Sequence, residues 1–155
     1  MIQRIQSVYL LLTTLLSALF LTGSILTFKT AAGADITINI KGAWQLTGAG
    51  NREIIRDQIP ALVILVLIIM LSTGTIFFYK KRKLQMKLSL AVIVLIVAFI
   101  GVLLFYALSI IINYHAVIVP RYKMFISALM LLSGILAYRG IRKDEDLVKS
   151  YDRLR

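Results

Sequence analysis

The residues that could do chemistry in this chain lie outside its long uncharged runs. All seven Asp and Glu residues fall within positions 35–57 or 144–152, and the chain contains no cysteine. The single histidine, His115, is followed by Arg121 and Lys123, and these three residues could together hold an anion such as a lipid headgroup. One histidine without a second ligand makes a poor metal site. We therefore predict no catalytic residue, no metal and no cofactor.

An alternative interpretation of His115, Arg121 and Lys123 is that they anchor helix ends at a membrane surface. Membrane interfaces commonly collect Tyr, Lys and Arg, and Tyr114 stands next to the histidine. The sequence favours this anchor interpretation, and the headgroup site stays a hypothesis.

Composition indicates the class of protein. Hydrophobic residues make up 59% of the chain and charged residues only 16%, against averages of about 45–50% and 25% in soluble domains. This is the composition of an integral membrane protein. The net charge of +11 does not indicate a nucleic-acid partner, because the Lys and Arg residues flank apolar runs, where they would meet lipid headgroups.

The charges also predict a topology. Five Lys or Arg residues within 80–87 separate two apolar runs, which predicts a transmembrane hairpin with a basic inner loop in the cytoplasm. Twelve Lys and Arg residues then lie on the side of that loop and six on the other, which predicts cytoplasmic N- and C-termini. We predict one all-α transmembrane domain, a four-helix bundle with spans over 5–28, 60–79, 88–112 and 120–138. The first run is longer than the apolar core of a secretory signal peptide, the alternative interpretation, so we expect it to be a span.

The outer loop 29–59, between the first two predicted spans, has the two-residue period of strands. Isoleucines alternate with polar residues over 36–40, and Trp44 and its neighbours do so after a tight turn. The segment 26–30 offers a third strand, and a short surface turn is expected from Asn51. We predict a small extracytoplasmic antiparallel β-sheet over the helix ends. Trp44 and the isoleucines should face either those helix ends or a partner.

The cytoplasmic tail, 139–155, has an amphipathic pattern of its own. Its apolar residues recur at helical spacing and form one stripe, which consists of Leu147, Val148, Tyr151 and Leu154. Such a helix would lie along the inner headgroups or bind a protein. The alternative is that the tail serves only to fix the topology, but topology does not require an apolar stripe. These four residues and Trp44 are therefore the candidate partner-binding residues.

Both ends of the chain resemble a known family. The opening MIQRIQSVYLLL at 1–12 and the ending RKDEDLVKSYDRLR at 142–155 are similar to an uncharacterised family of small four-span integral membrane proteins from the Bacteroidota. The whole chain is similar to that family in length and layout. The resemblance implies a bacterial source and an inner-membrane location, and it implies no activity.

The sequence alone favours a non-enzymatic accessory or scaffold subunit, because no Asp, Glu, Lys, Arg or His lies deep within the apolar runs. Its partners would be membrane lipid and an inner-membrane protein that binds the tail and the outer loop. The alternative is a small carrier or binder of a lipid or another apolar ligand, with His115, Arg121 and Lys123 at the mouth of its site. An enzyme is the third hypothesis, since only surface residues could supply its chemistry.

Overall fold

The computed structural model describes residues 5–30, 35–46, 52–79 and 81–153, with the side chains at 52, 53, 56 and 148–153 left out. In these ranges the chain forms four helices and five strands. Their order is α1 (Ile5–Phe20), β1 (Ser24–Lys29), β2 (Asp35–Asn39), β3 (Gly42–Leu46), β4 (Arg52–Asp57), α2 (Ile59–Phe77), α3 (Arg82–Tyr114), β5 (Val117–Val119) and α4 (Tyr122–Arg153). The protein is mainly helical with a small antiparallel sheet, as the sequence predicts.

The helices form a bundle in which each lies beside the next and α4 closes against α1. The α1–α4 pair is antiparallel, because Thr13 Oγ1 lies 2.8 Å from Ser133 Oγ, while Ser17 Oγ lies 3.1 Å from Met130 Sδ. The short connection at 78–81 makes α2 and α3 antiparallel as well. The sheet therefore lies at one end of the bundle, and the α2–α3 turn, the start of α1 and the end of α4 lie at the other.

The helix α1 buries polar side chains and exposes apolar ones, unlike a helix of a water-soluble protein. Its buried side chains include Gln6, Thr13 and Ser17, whereas Val8 and Leu15 are exposed. A soluble helix buries its apolar stripe. In lipid, exposed leucines carry no penalty, and small polar residues form the contacts between helices. The side chains of α1 thus do not follow the pattern of a helix in a water-soluble protein.

Three helices in the described part of the chain are long and apolar enough to cross a membrane, namely α2, α3 and α4 as far as Leu147. They indicate a membrane protein. Pro60 lies in the first turn of α2, as the sequence predicts. The helix α1 has only 16 residues, or about 24 Å of length, which falls short of a hydrocarbon core of roughly 30 Å.

The five strands are ordered β4-β3-β2-β1-β5, and all neighbours are antiparallel. The strands predicted over 26–30, 36–40 and around Trp44 are confirmed as β1, β2 and β3. Phe28, Ile36 and Ile38 are fully buried in the same cluster as Phe99 of α3, so one face of the sheet covers the helix ends.

The predicted first span over 5–28 is wrong beyond Phe20. Gly23 takes a left-handed conformation with φ 65°, and the next six residues form β1. Because β1 is buried over four consecutive residues, it shows no two-residue alternation in the sequence. An apolar run of this kind cannot be assigned to helix or strand by its period.

Other predicted boundaries also differ from the structure. The basic inner loop predicted at 80–87 is helical from Arg82 onward, because Lys, Arg, Leu and Gln are good helix formers. The predicted span 120–138 and the tail helix are one continuous helix, α4. The surface turn predicted from Asn51 is the edge strand β4, whose charged residues are typical of sheet edges. Residues 117–119 form a strand that the sequence analysis did not predict.

Candidate functional site

A small apolar cavity lies where α3, α4, β1 and β5 meet. Its volume is about 120 Å³, and it is lined by Ile25, Leu26, Ile100, Leu103, Leu104, Ala107, Ile118, Lys123, Met124 and Ser127. Leu104 and Met124 are 58% and 42% exposed, so the cavity opens onto the outer surface of α3 and α4. That surface is apolar and would contact lipid chains in a membrane.

Lys123 is the one charged residue in the lining of this cavity. Its side chain is only 2% exposed, and its Nζ donates a hydrogen bond to the carbonyl oxygen of Thr22. An ammonium carries three N–H donors. Among the described residues no carboxylate pairs with it, so the charge of Lys123 is enclosed but not neutralised.

The turn between α1 and β1 creates this environment. Gly23 adopts a positive φ, which glycine reaches without steric cost, and the chain reverses sharply at the end of α1. A Cβ atom at Gly23 would lie 3.8 Å from Lys123 Nζ. The turn therefore covers the ammonium and presents the Thr22 carbonyl to it, although the two residues are 101 positions apart in the chain.

The three residues predicted for a headgroup site occupy different surroundings. Lys123 lines the cavity, whereas His115 and Arg121 are exposed and do not line it. His115 ends α3 with φ 45°, in the left-handed region. Lys123 is thus not an exposed anchor at a helix end, because the α1–β1 turn covers the lysine and supplies a hydrogen-bond acceptor.

One protein family matches residues 2–154, which is almost the whole chain. The chain belongs to this family, described as Domain of unknown function (DUF4293). Membership confirms the predicted resemblance to an uncharacterised family. No curated protein and no solved structure matches the chain. The description of DUF4293 carries no activity that could be assigned to the cavity at Lys123.

In this DUF4293 chain, the predicted partner-binding stripe lies at the C-terminal end of α4. Leu147 is 49% exposed. The side chains of Val148 and Tyr151, and residue Leu154 as a whole, lie outside the described residues. A groove of about 560 Å³ in this region is lined by Tyr138, Arg139, Arg142, Lys143, Asp146 and Leu147. The described part of the stripe thus adjoins a cationic surface.

Trp44 lies on the face of the sheet that points away from the helices. The adjacent residue, Ala43, is 2% exposed and borders a gap together with Tyr106 of α3. Side chains alternate between the two faces of a strand, so the half-buried Trp44 points to the other side. Of the two expectations for Trp44, contact with the helix ends is wrong, and a partner stays a prediction.

Proposed function

We propose that this protein is a non-enzymatic, multi-pass protein of the bacterial inner membrane that binds an amphiphile, an acyl chain with a carboxylate or phosphate headgroup. The observation that carries the proposal is Lys123, a lysine that is only 2% exposed as a residue and lines the wall of an apolar cavity. The acyl chain suits the lining of the cavity, and the anionic headgroup suits the ammonium.

The electrostatics of Lys123 favour an anion over a neutral ligand. Taking an ammonium out of water costs several kcal/mol even after the surroundings relax. The Thr22 carbonyl is a neutral acceptor and compensates for only part of this cost. An anionic headgroup would accept hydrogen bonds from the other two donors, and such charge-assisted bonds are about twice as strong as neutral ones.

The size of the cavity fits the beginning of an acyl chain. An apolar cavity of about 150 Å³ is known to hold a molecule as large as benzene. At about 120 Å³, this cavity has room for a few methylene groups next to Lys123. The rest of the chain would leave past the exposed side chains of Leu104 and Met124 and lie among membrane lipids.

The position of Lys123 along α4 supports a site at headgroup depth. Lys123 is the second residue of α4, and Arg139 follows it by about 24 Å along the helix axis. This length is about 6 Å less than a hydrocarbon core of roughly 30 Å, so Lys123 and Arg139 would lie near its opposite boundaries. The excess of Lys and Arg at the Arg139 end favours a cytoplasmic position for both termini and an outer position for the sheet and Lys123.

The test is to purify the full chain in a gentle detergent and identify the retained lipid by native mass spectrometry. Lys123→Met removes the charge while keeping an unbranched side chain of similar length. Arg121→Met is the matched control, because Arg121 is an exposed cation that does not line the cavity. Ala107→Phe fills the cavity without changing the charge.

We expect the unmodified protein and Arg121→Met to retain an anionic amphiphile, and Lys123→Met and Ala107→Phe to retain at least tenfold less. Equal retention by Lys123→Met and the unmodified protein would refute the proposal. Equal loss in Arg121→Met and Lys123→Met would instead indicate a general attraction of anionic lipid to the surface.

An accessory or scaffold role is the second candidate, and the groove beside Leu147 favours it. A leucine that is 49% exposed next to Arg139, Arg142 and Lys143 suits an acidic amphipathic partner segment. Leu147→Gln should abolish a stoichiometric complex that is isolated from the membrane through a tag in the β2–β3 turn. Leu19→Gln is the matched control, since Leu19 is 48% exposed on α1 and does not line the groove. Survival of the complex in Leu147→Gln would exclude this surface.

A further inference from the structure

The outward face of the sheet carries a second depression, on the opposite side of β1 from the cavity at Lys123. It has a volume of about 310 Å³ and is lined by Ser24, Asp35, Thr37, Asn39, Trp44 and Leu46. The residues that alternate with them, among which are Ile36, Ile38 and Ala43, are buried on the helix side. The depression is thus formed by the second face of β2 and β3, with the end of β1 at its edge.

Trp44 supplies the aromatic part of the lining of this depression. Thr37 lies directly opposite Trp44 on β2, and Ile54 lies opposite it on β4. Ile54 is 57% exposed and Leu46 is 47% exposed, so the tryptophan belongs to an apolar strip that is open to the surroundings. Such a strip offers a stacking surface to the apolar face of a ring.

The polar half of the depression contains one hydrogen-bond acceptor without a donor and one exposed carboxylate. Asn39 Oδ1 is enclosed and has no hydrogen-bond partner among the described residues. The exposed carboxylate of Asp35 lies four residues before Asn39 on the same face of β2, with Thr37 between them. A ligand that carries several hydroxyl groups at the edge of a flat ring could donate to the exposed Asp35 carboxylate, and a rotation of the Asn39 side chain would bring its enclosed Oδ1 within reach of a second hydroxyl.

The local charge favours a neutral ligand. Lys29 of β1 lies directly opposite Asp35 in the β1–β2 register, so one positive charge adjoins the one negative charge of the lining. A cationic ligand would meet Lys29, and an anionic ligand would meet Asp35. The acyl chains of a membrane surface would leave the Asp35 carboxylate and the Asn39 amide without donors.

We propose that this depression is a saccharide-binding site, with one sugar ring stacked on Trp44 and its hydroxyl groups donating hydrogen bonds to Asp35 and Asn39. A saccharide combines an apolar ring face with neutral hydroxyl donors around its edge. The volume of about 310 Å³ lies at the lower end of the range for small-molecule sites, which suits one or two sugar rings.

Trp44 is the only tryptophan in the chain, so intrinsic tryptophan fluorescence reports on this site alone. The full chain should be reconstituted in phosphatidylcholine nanodiscs, because alkyl-maltoside detergents themselves carry a disaccharide. Chitotriose, cellotriose and maltotriose are the neutral probes, and an arginine-containing tripeptide is the cationic probe. We expect a saturable change in Trp44 fluorescence with at least one trisaccharide.

Variants then locate the binding. Asp35→Asn and Asn39→Ala should each weaken it about tenfold, the ratio expected for loss of a hydrogen bond that involves a charged or enclosed group. Asp57→Asn is the matched control, because Asp57 is an exposed carboxylate of the same sheet that does not line the depression. The affinity of this variant for the trisaccharide should be unchanged. Thermal melting should confirm that each variant keeps the parent fold.

Several outcomes would overturn the proposal. One is the absence of a saturable response to any of the three trisaccharides, and another is a response to the arginine tripeptide alone. Quenching of Trp44 by lipids with brominated chains would show that this face lies against the membrane. A fluorescence change that depends only on protein concentration, accompanied by dimer formation, would show that a second copy of the chain covers the site.

Discussion

The described helices contain four glycines, of which two face a neighbouring helix closely and two face open space. Substitution of each glycine by alanine tests which helix faces are in close contact. A Cβ atom at Gly140 would lie 3.3 Å from Gln6 Cβ and 3.8 Å from Gln6 Cα. A Cβ atom at Gly74 or Gly101 would meet nothing within 4 Å. At Gly134 it would lie 3.2 Å from Ile96 Cδ1, the mobile end of a side chain.

We expect alanine to raise the free energy of unfolding at Gly74 and Gly101 and to lower it at Gly140. Gly101→Ala and Gly74→Ala should each stabilise the fold by about 0.4–1 kcal/mol, because alanine loses less backbone entropy in a helix. Gly140→Ala has the same favourable effect on backbone entropy, but the added methyl group forces α1 away from α4. Such overpacking costs about 1–3 kcal/mol. The expected net effect is a loss of about 1 kcal/mol, or about 2–4 °C in melting temperature for a chain of this size. For Gly134→Ala we expect almost no change, because the small shift required of the buried Ile96 side chain offsets the gain in helix propensity.

The assay is unfolding of each variant by SDS in mixed micelles, followed by circular dichroism. Helices persist in the SDS-unfolded state, so alanine is favoured there as well. The stabilisation by Gly101→Ala should therefore fall at the lower end of the range of about 0.4–1 kcal/mol. Gly101→Ala is the internal control for helix propensity, and the difference between Gly140→Ala and Gly101→Ala isolates the contact with Gln6. If Gly140→Ala stabilises the protein as much as Gly101→Ala does, the close packing of α1 on α4 at Gln6 is refuted.

Two further predictions concern the contacts of α1 and the topology. A double-mutant cycle of Thr13→Val and Ser133→Ala should give a coupling energy of about 0.6 kcal/mol, the average for hydrogen bonds between membrane helices, because the two hydroxyl oxygens lie 2.8 Å apart; additive effects would contradict the contact. Single cysteines should replace Lys41 or Lys143 in the cysteine-free chain. An impermeant maleimide should label the cysteine at position 41 in intact cells and the cysteine at position 143 in inverted vesicles. Labelling of both from one side would refute the topology.

The sequence by itself determined the long helices and part of the sheet. Long uncharged runs predicted α2 and α3, and a shorter uncharged run that follows Pro120 predicted α4, because so many consecutive apolar side chains leave few alternatives to a membrane helix. The alternation over 36–40 predicted β2 and the face that it buries, since a strand with one buried face shows its period directly.

Elements whose environment depends on distant segments could not be predicted in this way. The apolar run at 24–29 has the same composition as the end of a helix, and it becomes a strand because β2 and β5 pair with it on both sides. The charged stretch of β4 has the composition of a surface turn, and pairing with β3 makes it a strand. Backbone hydrogen bonds to a partner strand are not encoded by the side-chain period of the segment itself.

The candidate site shows the same division between sequence and tertiary structure. The sequence placed Lys123 near a helix end together with His115 and Arg121, as cations at a membrane surface would be. Only the tertiary structure distinguishes the three residues, because the turn at Gly23 covers Lys123 and leaves the other two exposed. The charge of a residue is local information, whereas its burial depends on which segment of the chain folds over it.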